Sequence, residues 1–297
     1  MTELALSTEK LTKFYDTRAV VRELDWRVPV GAACALLGPN GAGKSTTLKL
    51  LLGFTPASGG VARILGADPF ALTPALRARI GYVSERPILP PWARVERVIA
   101  FYASLYPRWN RALEKELGAA FALHTRCRVA ELSKGQNRSL MLLLALCQGA
   151  DLLVLDEPAS GLDVAARRQF LGLLADFLAE GNRTVVLSTH LLGDVERLAS
   201  HVTILRGGVC VAQEPLDELK RRVKRLRLPL AAAEQLQASL APGVLLASAT
   251  AGRSTQLTLR LDEALESRLR MLPPAEVEWL DLPLEEIYLA LTGAAPP

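Results

Sequence analysis

The segment ACALLGPNGAGKSTTLKLL, residues 33–51, decides the fold. A short apolar run, Ala32–Leu37, reads as a buried strand. A glycine-rich turn from Gly38 to Gly43 follows it, and a helical pattern with Leu48 on its apolar face comes next. Strand, glycine loop and helix in this order predict a unit that binds phosphate.

The turn itself fits the pattern G-x-x-x-x-G-K-[ST]. Glycines let successive backbone N–H groups turn inward around phosphates, and the positive end of the following helix favours an anion. In such a loop the lysine reaches the β- and γ-phosphates and the next hydroxyl binds Mg²⁺. The motif predicts nucleoside triphosphate binding but leaves kinases, GTPases and helicases open. The nucleotide-binding residues are Gly38, Pro39, Asn40, Gly41, Ala42, Gly43, Lys44, Ser45 and Thr46.

A second segment, Leu152–Glu157, has four apolar residues followed by two carboxylates. A buried strand here brings Asp156 to its carboxyl end beside the phosphate loop, where it would hold Mg²⁺ through water. Glu157 is the candidate general base for the water that attacks the γ-phosphate. A solvated acidic turn is the plainer interpretation, but the position about 110 residues after the phosphate loop favours the catalytic one.

Leu132-Ser133-Lys134-Gly135-Gln136 begins a predicted helix, with Ser133 as its N-cap. This segment resembles the LSGGQ signature of the ABC ATPase family, and the family's other motifs occur in order over roughly residues 2–215. The resemblance implies that Ser133, Gly135 and Gln136 bind the γ-phosphate held by an opposite subunit. It therefore implies a head-to-tail dimer, either a homodimer or a paralogous heterodimer, that binds two ATP molecules.

Three further positions match the same family. Tyr15 stands where an aromatic ring stacks on adenine, although alone it would be an ordinary edge-strand residue. Asp163 ends Ser160–Asp163, a match to the D-loop at the dimer interface, although alone it reads as a helix cap. His190 matches the histidine that contacts the γ-phosphate. With Glu157 and Lys44, the resemblance makes His190 catalytic.

The chain departs from the family pattern at two positions. Glu85 replaces the Q-loop glutamine; its carboxylate can reach Mg²⁺ or the attacking water and adds negative charge near the triphosphate. Lys134 replaces the first signature glycine and puts a positive charge near the partner's phosphates. In the family, the segment Arg86–Val95 receives the coupling helix of a membrane subunit.

Alternating strand and helix patterns predict an α/β fold, a mixed sheet with a helical subdomain. We expect an ATP-binding domain at residues 1–219, with the helical part at about 86–150. Residues 220–297 form a predicted accessory domain of order βαββαβ, which suggests a ferredoxin-like α+β fold. This domain could have a regulatory role, mediate dimerisation or stabilise the protein.

The chain has 297 residues and a net charge of +4, with no apolar stretch of the ~20 residues that span a bilayer. The N-terminus resembles no secretory signal, so we expect a cytoplasmic protein on the inner face of the plasma membrane. The four cysteines are scattered along the sequence, a spacing that argues against a disulfide framework or a zinc site. The basic stretch from Lys220 to Arg227 reads as a solvated helix face or linker, or as a contact to anionic lipid.

The resemblance implies an ATP-hydrolysing subunit that powers separate transmembrane permease subunits, with export favoured over import by the short tail and Glu85. The alternative is an ABC ATPase of translation or DNA repair without a transport role. Those proteins carry paired domains or long coiled-coil or zinc inserts, and this chain has neither. No nucleic-acid partner is expected, and the absence of Asn-Lys-x-Asp argues against a GTPase.

Overall fold

The computed structural model of the chain describes residues 3–85, 89–271 and 277–293. Its contacts divide the chain into two compact units, Met1–Cys210 and Val211–Pro297. The boundary expected at residues 219 and 220 lies within the helix Leu216–Arg222. The domain limits derived from the sequence stay a prediction.

Two sheets contain the strands of the first unit, and their last strand, β9, continues past Cys210 into the second unit. A three-stranded antiparallel sheet has the order β2-β1-β4, and a six-stranded sheet has the order β5-β6-β7-β3-β8-β9. The pairs from β5 through β8 are parallel, as the sequence predicts for a mostly parallel sheet. The strands are β1 (Leu4–Tyr15), β2 (Arg18–Pro29), β3 (Ala33–Leu37), β4 (Gly59–Ile64), β5 (Ile80–Val83), β6 (Leu152–Asp156), β7 (Thr184–Ser188), β8 (His201–Arg206) and β9 (Val209–Pro215).

The helices of this unit also follow the sequence prediction. The predicted helical part between residues 86 and 150 contains α3, α4 and α5, while residues 86–88 of the expected coupling segment lie outside the described residues. The helices are α1 (Lys44–Leu51), α2 (Pro74–Ala78), α3 (Val95–Leu105), α4 (Arg111–Ala120), α5 (Lys134–Cys147), α6 (Val164–Ala179) and α7 (Leu192–Leu198).

Three central strands, β3, β6 and β7, are buried along their whole length. Parallel strands covered on both faces read as continuous apolar runs, which explains why these segments were recognisable in the sequence. Their carboxyl ends meet at one edge of the sheet. That edge brings together the segments that begin at Gly38, Glu157 and Thr189, where the candidate site lies.

The longest apolar run of the sequence, Leu140–Cys147, lies in α5, where all of its residues except Met141 are buried. Across residues 3–85, 89–271 and 277–293, no helix has the length and apolarity needed to span a bilayer. All four cysteines are free thiols. Burial raises the pKa of both Cys34 and Cys147 to about 12, which keeps these two thiols protonated and unreactive at neutral pH.

The second unit has the predicted order of elements, strand-helix-strand-strand-helix-strand. Its four-stranded antiparallel sheet has the order β11-β12-β10-β13. The ferredoxin-like assignment stays a prediction, and Glu276, the expected start of the last strand, lies outside the described residues. The elements are α8 (Leu216–Arg222), β10 (Val223–Pro229), α9 (Leu230–Ser239), β11 (Leu245–Ala251), β12 (Ser254–Arg260), α10 (Glu263–Arg270), β13 (Glu278–Leu280) and α11 (Leu284–Thr292).

The basic stretch from Lys220 to Arg227 is neither a linker nor one helix face. It crosses from α8 into β10, and its side chains form ion pairs with carboxylates of the same unit. Charges that are already neutralised in this way attract a lipid surface less than the sequence count implies. The pairs are Arg221–Glu218, Arg222–Glu214, Lys224–Asp281, Arg225–Glu286 and Arg227–Glu278.

Candidate active site

The phosphate loop joins β3 to α1 and packs tightly against the strand β2. Gly43 is the N-cap of α1 and has φ of 102°, a conformation that side chains with a Cβ rarely adopt. A Cβ on Gly43 would lie 2.6 Å from the backbone oxygen of Val20. The glycine is therefore required both by its backbone angle and by the close approach of β2.

Lys44 lies at the start of α1 and is only 7% exposed. Its Nζ donates hydrogen bonds to the backbone oxygens of Gly38 at 2.8 Å and Pro39 at 3.4 Å. The same Nζ lies 3.7 Å from Glu157 Oε1. Backbone oxygens of the loop thus hold the ammonium group of Lys44 close to Glu157, the candidate base.

Asp156 ends β6 and is buried beside two hydroxyl groups. Its Oδ1 accepts hydrogen bonds from Ser45 Oγ at 3.0 Å and from Ser188 Oγ at 2.6 Å. Hydroxyl and carboxylate oxygens are the ligands that Mg²⁺ prefers. The pairing of Ser45 with Asp156 fits the magnesium site expected from the sequence.

Glu157 follows Asp156 in a strained backbone conformation, with φ of 48°. For a residue with a Cβ this costs on the order of 1 kcal/mol and persists only where neighbouring groups enforce it. Its N–H lies 3.1 Å from both the backbone oxygen and the Oγ of Ser188. Its carboxylate contacts Lys44, and Oε2 lies 2.8 Å from Nδ1 of His190. Such strain is typical of catalytic positions.

A cavity of about 440 Å³ lies in front of the phosphate loop. Glu85, Glu157 and His190 line it from three separate segments. Burial raises the pKa of the nearby Tyr82 to about 12, and the negative charges of Asp156 and Glu85 add to the rise. Among the predicted nucleotide-binding residues, the cavity wall includes Asn40, Gly41, Ala42, Gly43, Lys44, Ser45 and Thr46.

Four predicted site residues lie elsewhere. Ser133, Gly135, Gln136 and Asp163 line a second cavity of about 530 Å³. Ser133 caps α5 in a reciprocal capping box, in which its Oγ accepts from the N–H of Gln136 while the side chain of Gln136 accepts from the N–H of Ser133. Asp163 caps α6 by accepting from the N–H of Ala166. Both residues therefore have the capping roles that the sequence allows.

Tyr15 lies at the end of β1, half-exposed, with Lys13 Nζ 5.1 Å from its ring centroid. An exposed ring of this kind offers a flat surface for a base, while the cation contributes on the order of 0.5 kcal/mol to its orientation.

Two polar residues of the site escaped sequence reasoning. Ser188 ends the buried strand β7 and contacts Asp156. A polar residue at the end of an apolar strand is the sequence feature that could have indicated this contact. Arg138 follows the signature segment on α5, and its side chain reaches the backbone oxygens of Glu85, Glu157 and Ser160. Neither partner set can be derived from spacing, because it joins segments far apart in the chain.

A phosphate loop after β3, an Asp-Glu pair at the end of β6 and a histidine just after β7, the strand between those two, define a phosphate-loop nucleoside triphosphatase. The family model described as "ABC transporter" matches residues 21–160. The chain is 33% identical over 305 residues to Nod factor export ATP-binding protein I of Paraburkholderia xenovorans, covering 99% of this chain and 98% of that protein.

Among solved structures, one described as an ATP binding subunit of an ABC transporter is 30% identical. The superposition covers 74% of this chain and 92% of that structure's chain, with a TM-score of 0.67. A dimeric cassette bound to ADP and Pi shares the fold at 21% identity and a TM-score of 0.63, over 71% of this chain and 98% of its own. The chain belongs to the ABC transporter family, as an ATP-binding and ATP-hydrolysing subunit.

Proposed function

We propose that two copies of the chain close head to tail around two ATP molecules. The observation that carries this proposal is the separation of the phosphate-loop cavity from the signature cavity. One chain offers Lys44 on one cavity and the capped end of α5, with Ser133 and Gly135, on the other. A second copy supplies the missing half of each nucleotide site.

In the proposed reaction, Glu157 accepts the proton of the water that attacks the γ-phosphate. His190 donates from Nδ1 to Oε2, which leaves Oε1 for the water once Lys44 Nζ turns to the phosphates. Ser45 and Asp156 would hold Mg²⁺, with Glu85 facing the same cavity. The metal, when bound, neutralises phosphate charge and orients the phosphate oxygens. We also propose that the ring of Tyr15 stacks on the adenine.

A separate permease subunit is the proposed partner of this ATPase. A cavity of about 790 Å³ in the first unit supports it, with the rings of Phe54, Tyr82, Tyr102 and Tyr106 on its wall. Phe54 is 58% exposed, and its ring packs edge-on against Tyr82 with the centroids 5.4 Å apart, so the two rings offer one aromatic surface to a partner. Asp156 and Glu85 line the same cavity, so a helix seated there would contact the nucleotide site directly.

Export is the proposed direction of transport, and the inner face of the plasma membrane the proposed location. The relative from Paraburkholderia xenovorans carries an export function in its name and covers this chain almost end to end. The cargo is a property of the permease, since the described site of this chain handles only nucleotide.

The test is the association state of the variant Glu157→Gln, which binds ATP but lacks the base. With saturating ATP and Mg²⁺ we expect a dimer by sedimentation, and a monomer when Lys44→Ala is added. A monomer in the single variant would contradict the proposal. Co-purification with a polytopic membrane protein, lost on Phe54→Asp, tests the permease partner.

A further inference from the structure

The guanidinium of Arg138 joins two segments of the active site. Nη1 donates to the backbone oxygens of Glu157 at 2.5 Å and Ser160 at 2.6 Å, and Nη2 donates to the backbone oxygen of Glu85 at 2.7 Å. The oxygens of Glu157 and Ser160 belong to the loop between β6 and α6, and the oxygen of Glu85 belongs to the segment after β5. One side chain therefore binds the backbone of two separate segments through three carbonyl oxygens.

The contact to Glu157 matters most, because this residue has a positive φ of 48°. Ser188 accepts the N–H of Glu157, and Arg138 donates to its carbonyl oxygen, so both sides of the strained residue are held by hydrogen bonds. The direction of the Glu157 carboxylate depends on this backbone conformation. The N–H of Ser160 also donates to the Glu157 oxygen, at 3.3 Å, so Arg138 provides the shorter of its two bonds. Loss of the Arg138 donor weakens the hold on this carbonyl, and the residue can then relax toward negative φ and turn its carboxylate away from the phosphate loop.

The chemistry of arginine suits this place. Three carbonyl oxygens around one guanidinium suit its rigid fork of N–H donors, which no other side chain provides. Arg138 is half-buried, and burial lowers its pKa, while the negative charges of Glu85 and Glu157 act in the opposite direction. The group stays charged, since an arginine is protonated at all ordinary pH values. Charge-assisted bonds of this kind are about twice as strong as neutral ones.

Arg138 also lies on α5, five positions after the cap Ser133. The helix has 14 residues and continues without a break, so movement of its capped end carries the guanidinium with it. The cavity beside that capped end includes Ser133, Gly135 and Arg138 itself.

We propose that Arg138 is a positioning residue that couples the signature end of α5 to the general base of the same chain. Nucleotide bound by the partner copy seats α5, and the three hydrogen bonds of Arg138 then hold Glu157 and Ser160 in the geometry for hydrolysis. The nucleotide bound at one site of the dimer thus positions the general base of the other site. This coupling rests on the head-to-tail dimer proposed above, whereas the hold on Glu157 exists within one chain.

The first test is Arg138→Met, which keeps the length and apolar stem but removes all donors. We expect kcat for ATP to fall by about 10²-fold, the scale of a misplaced catalytic group. The KM for ATP should stay within about threefold, because Arg138 touches no phosphate-loop residue. Arg138→Lys should recover part of kcat through one or two restored bonds. The matched control is Arg108→Met, which removes an exposed ion pair to Asp151 and should keep wild-type kcat.

Amide hydrogen exchange separates this role from a purely structural one. In the nucleotide-free chain, Arg138→Met should speed exchange in residues 157–160 while α1 and β3 keep their protection. This readout needs no dimer, so it still tests the hold on Glu157 if Glu157→Gln fails to associate. If Arg138→Met unfolds, Arg138→Lys with the same kcat, KM and exchange measurements replaces it. Wild-type kcat in a folded variant, or an equal loss of protection in every element, would overturn the proposal.

Discussion

His190 Nδ1 lies 2.8 Å from Oε2 of Glu157, although the imidazole is 54% exposed and the carboxylate only 12%. The hydrogen bond directs Oε2 of the carboxylate toward the imidazole, which fixes the orientation of the carboxylate plane. The histidine therefore orients the base, and its ring remains accessible to a phosphate in the cavity.

Replacement of His190 by alanine should lower kcat for ATP hydrolysis by about 10²-fold, the lower range for a positioned acid-base group. His190→Gln retains an N–H donor for Glu157 and should lose less. Steady-state kinetics with ATP and Mg²⁺ measure both. His124→Ala is the control, since His124 is exposed and has no side-chain contact among those described. Equal rates in the alanine variants would show that His190 does not act on the base.

Glu85→Gln changes only the charge at the position where the chain departs from its family. Arg138 binds the backbone oxygen of Glu85, so the substitution keeps that bond. We expect hydrolysis within an order of magnitude of the wild type and a weaker dependence of ATP binding on Mg²⁺, because one negative charge near the triphosphate is gone. A titration of Mg²⁺ at fixed ATP tests this. Complete loss of ATPase would mean that the carboxylate has a role beyond electrostatics.

Much of the fold and site was predictable because the motifs are local. Each of three features is recognisable from a stretch of about ten residues or fewer: the phosphate loop, the strand that ends at Asp156 and the cap Ser133. Buried parallel strands read as unbroken apolar runs, so even the sheet was foreseeable in outline. Glu85 is recognisable from the sequence as a departure from the family pattern, and in the structure it lines the cavity.

What escaped prediction depends on distance in the chain. The bonds of Arg138 span 19 to 53 positions, and Ser188 lies 32 positions from Asp156. The positive φ of Glu157 arises from these same contacts, since glutamate has no intrinsic preference for it. The basic stretch from Lys220 to Arg227 was misread because its carboxylate partners lie mostly on distant elements.

Gly43→Ala should abolish tight nucleotide binding and destabilise the first unit. The added Cβ meets the Val20 oxygen at 2.6 Å and forces φ away from 102°, at a cost of about 1–3 kcal/mol. Nucleotide titration by fluorescence and thermal unfolding measure the two effects. Gly172→Ala is the control, because α6 leaves open space there and alanine favours a helix by about 1 kcal/mol. Normal nucleotide affinity in Gly43→Ala would show that the loop can shift to accept a side chain.

Glu214 should be the carboxylate on which the second unit depends most. It is 8% exposed, and its two oxygens contact Arg260 at 2.8 Å and Arg222 at 3.3 Å. Glu214→Gln leaves two partly buried guanidinium groups with a neutral partner, and we expect a loss of about 2–3 kcal/mol in the free energy of unfolding. Urea denaturation of the full chain measures it.

The matched control is Glu278→Gln, which breaks the exposed pair with Arg227, where both side chains are about half-exposed. Solvent screens such a pair, so this variant should lose less than about 1 kcal/mol. Both variants should keep the ATPase rate per folded molecule, since neither carboxylate belongs to the described nucleotide site. Equal losses in the two variants would mean that burial of Glu214 adds nothing, and that the pairs of this unit act only as surface contacts.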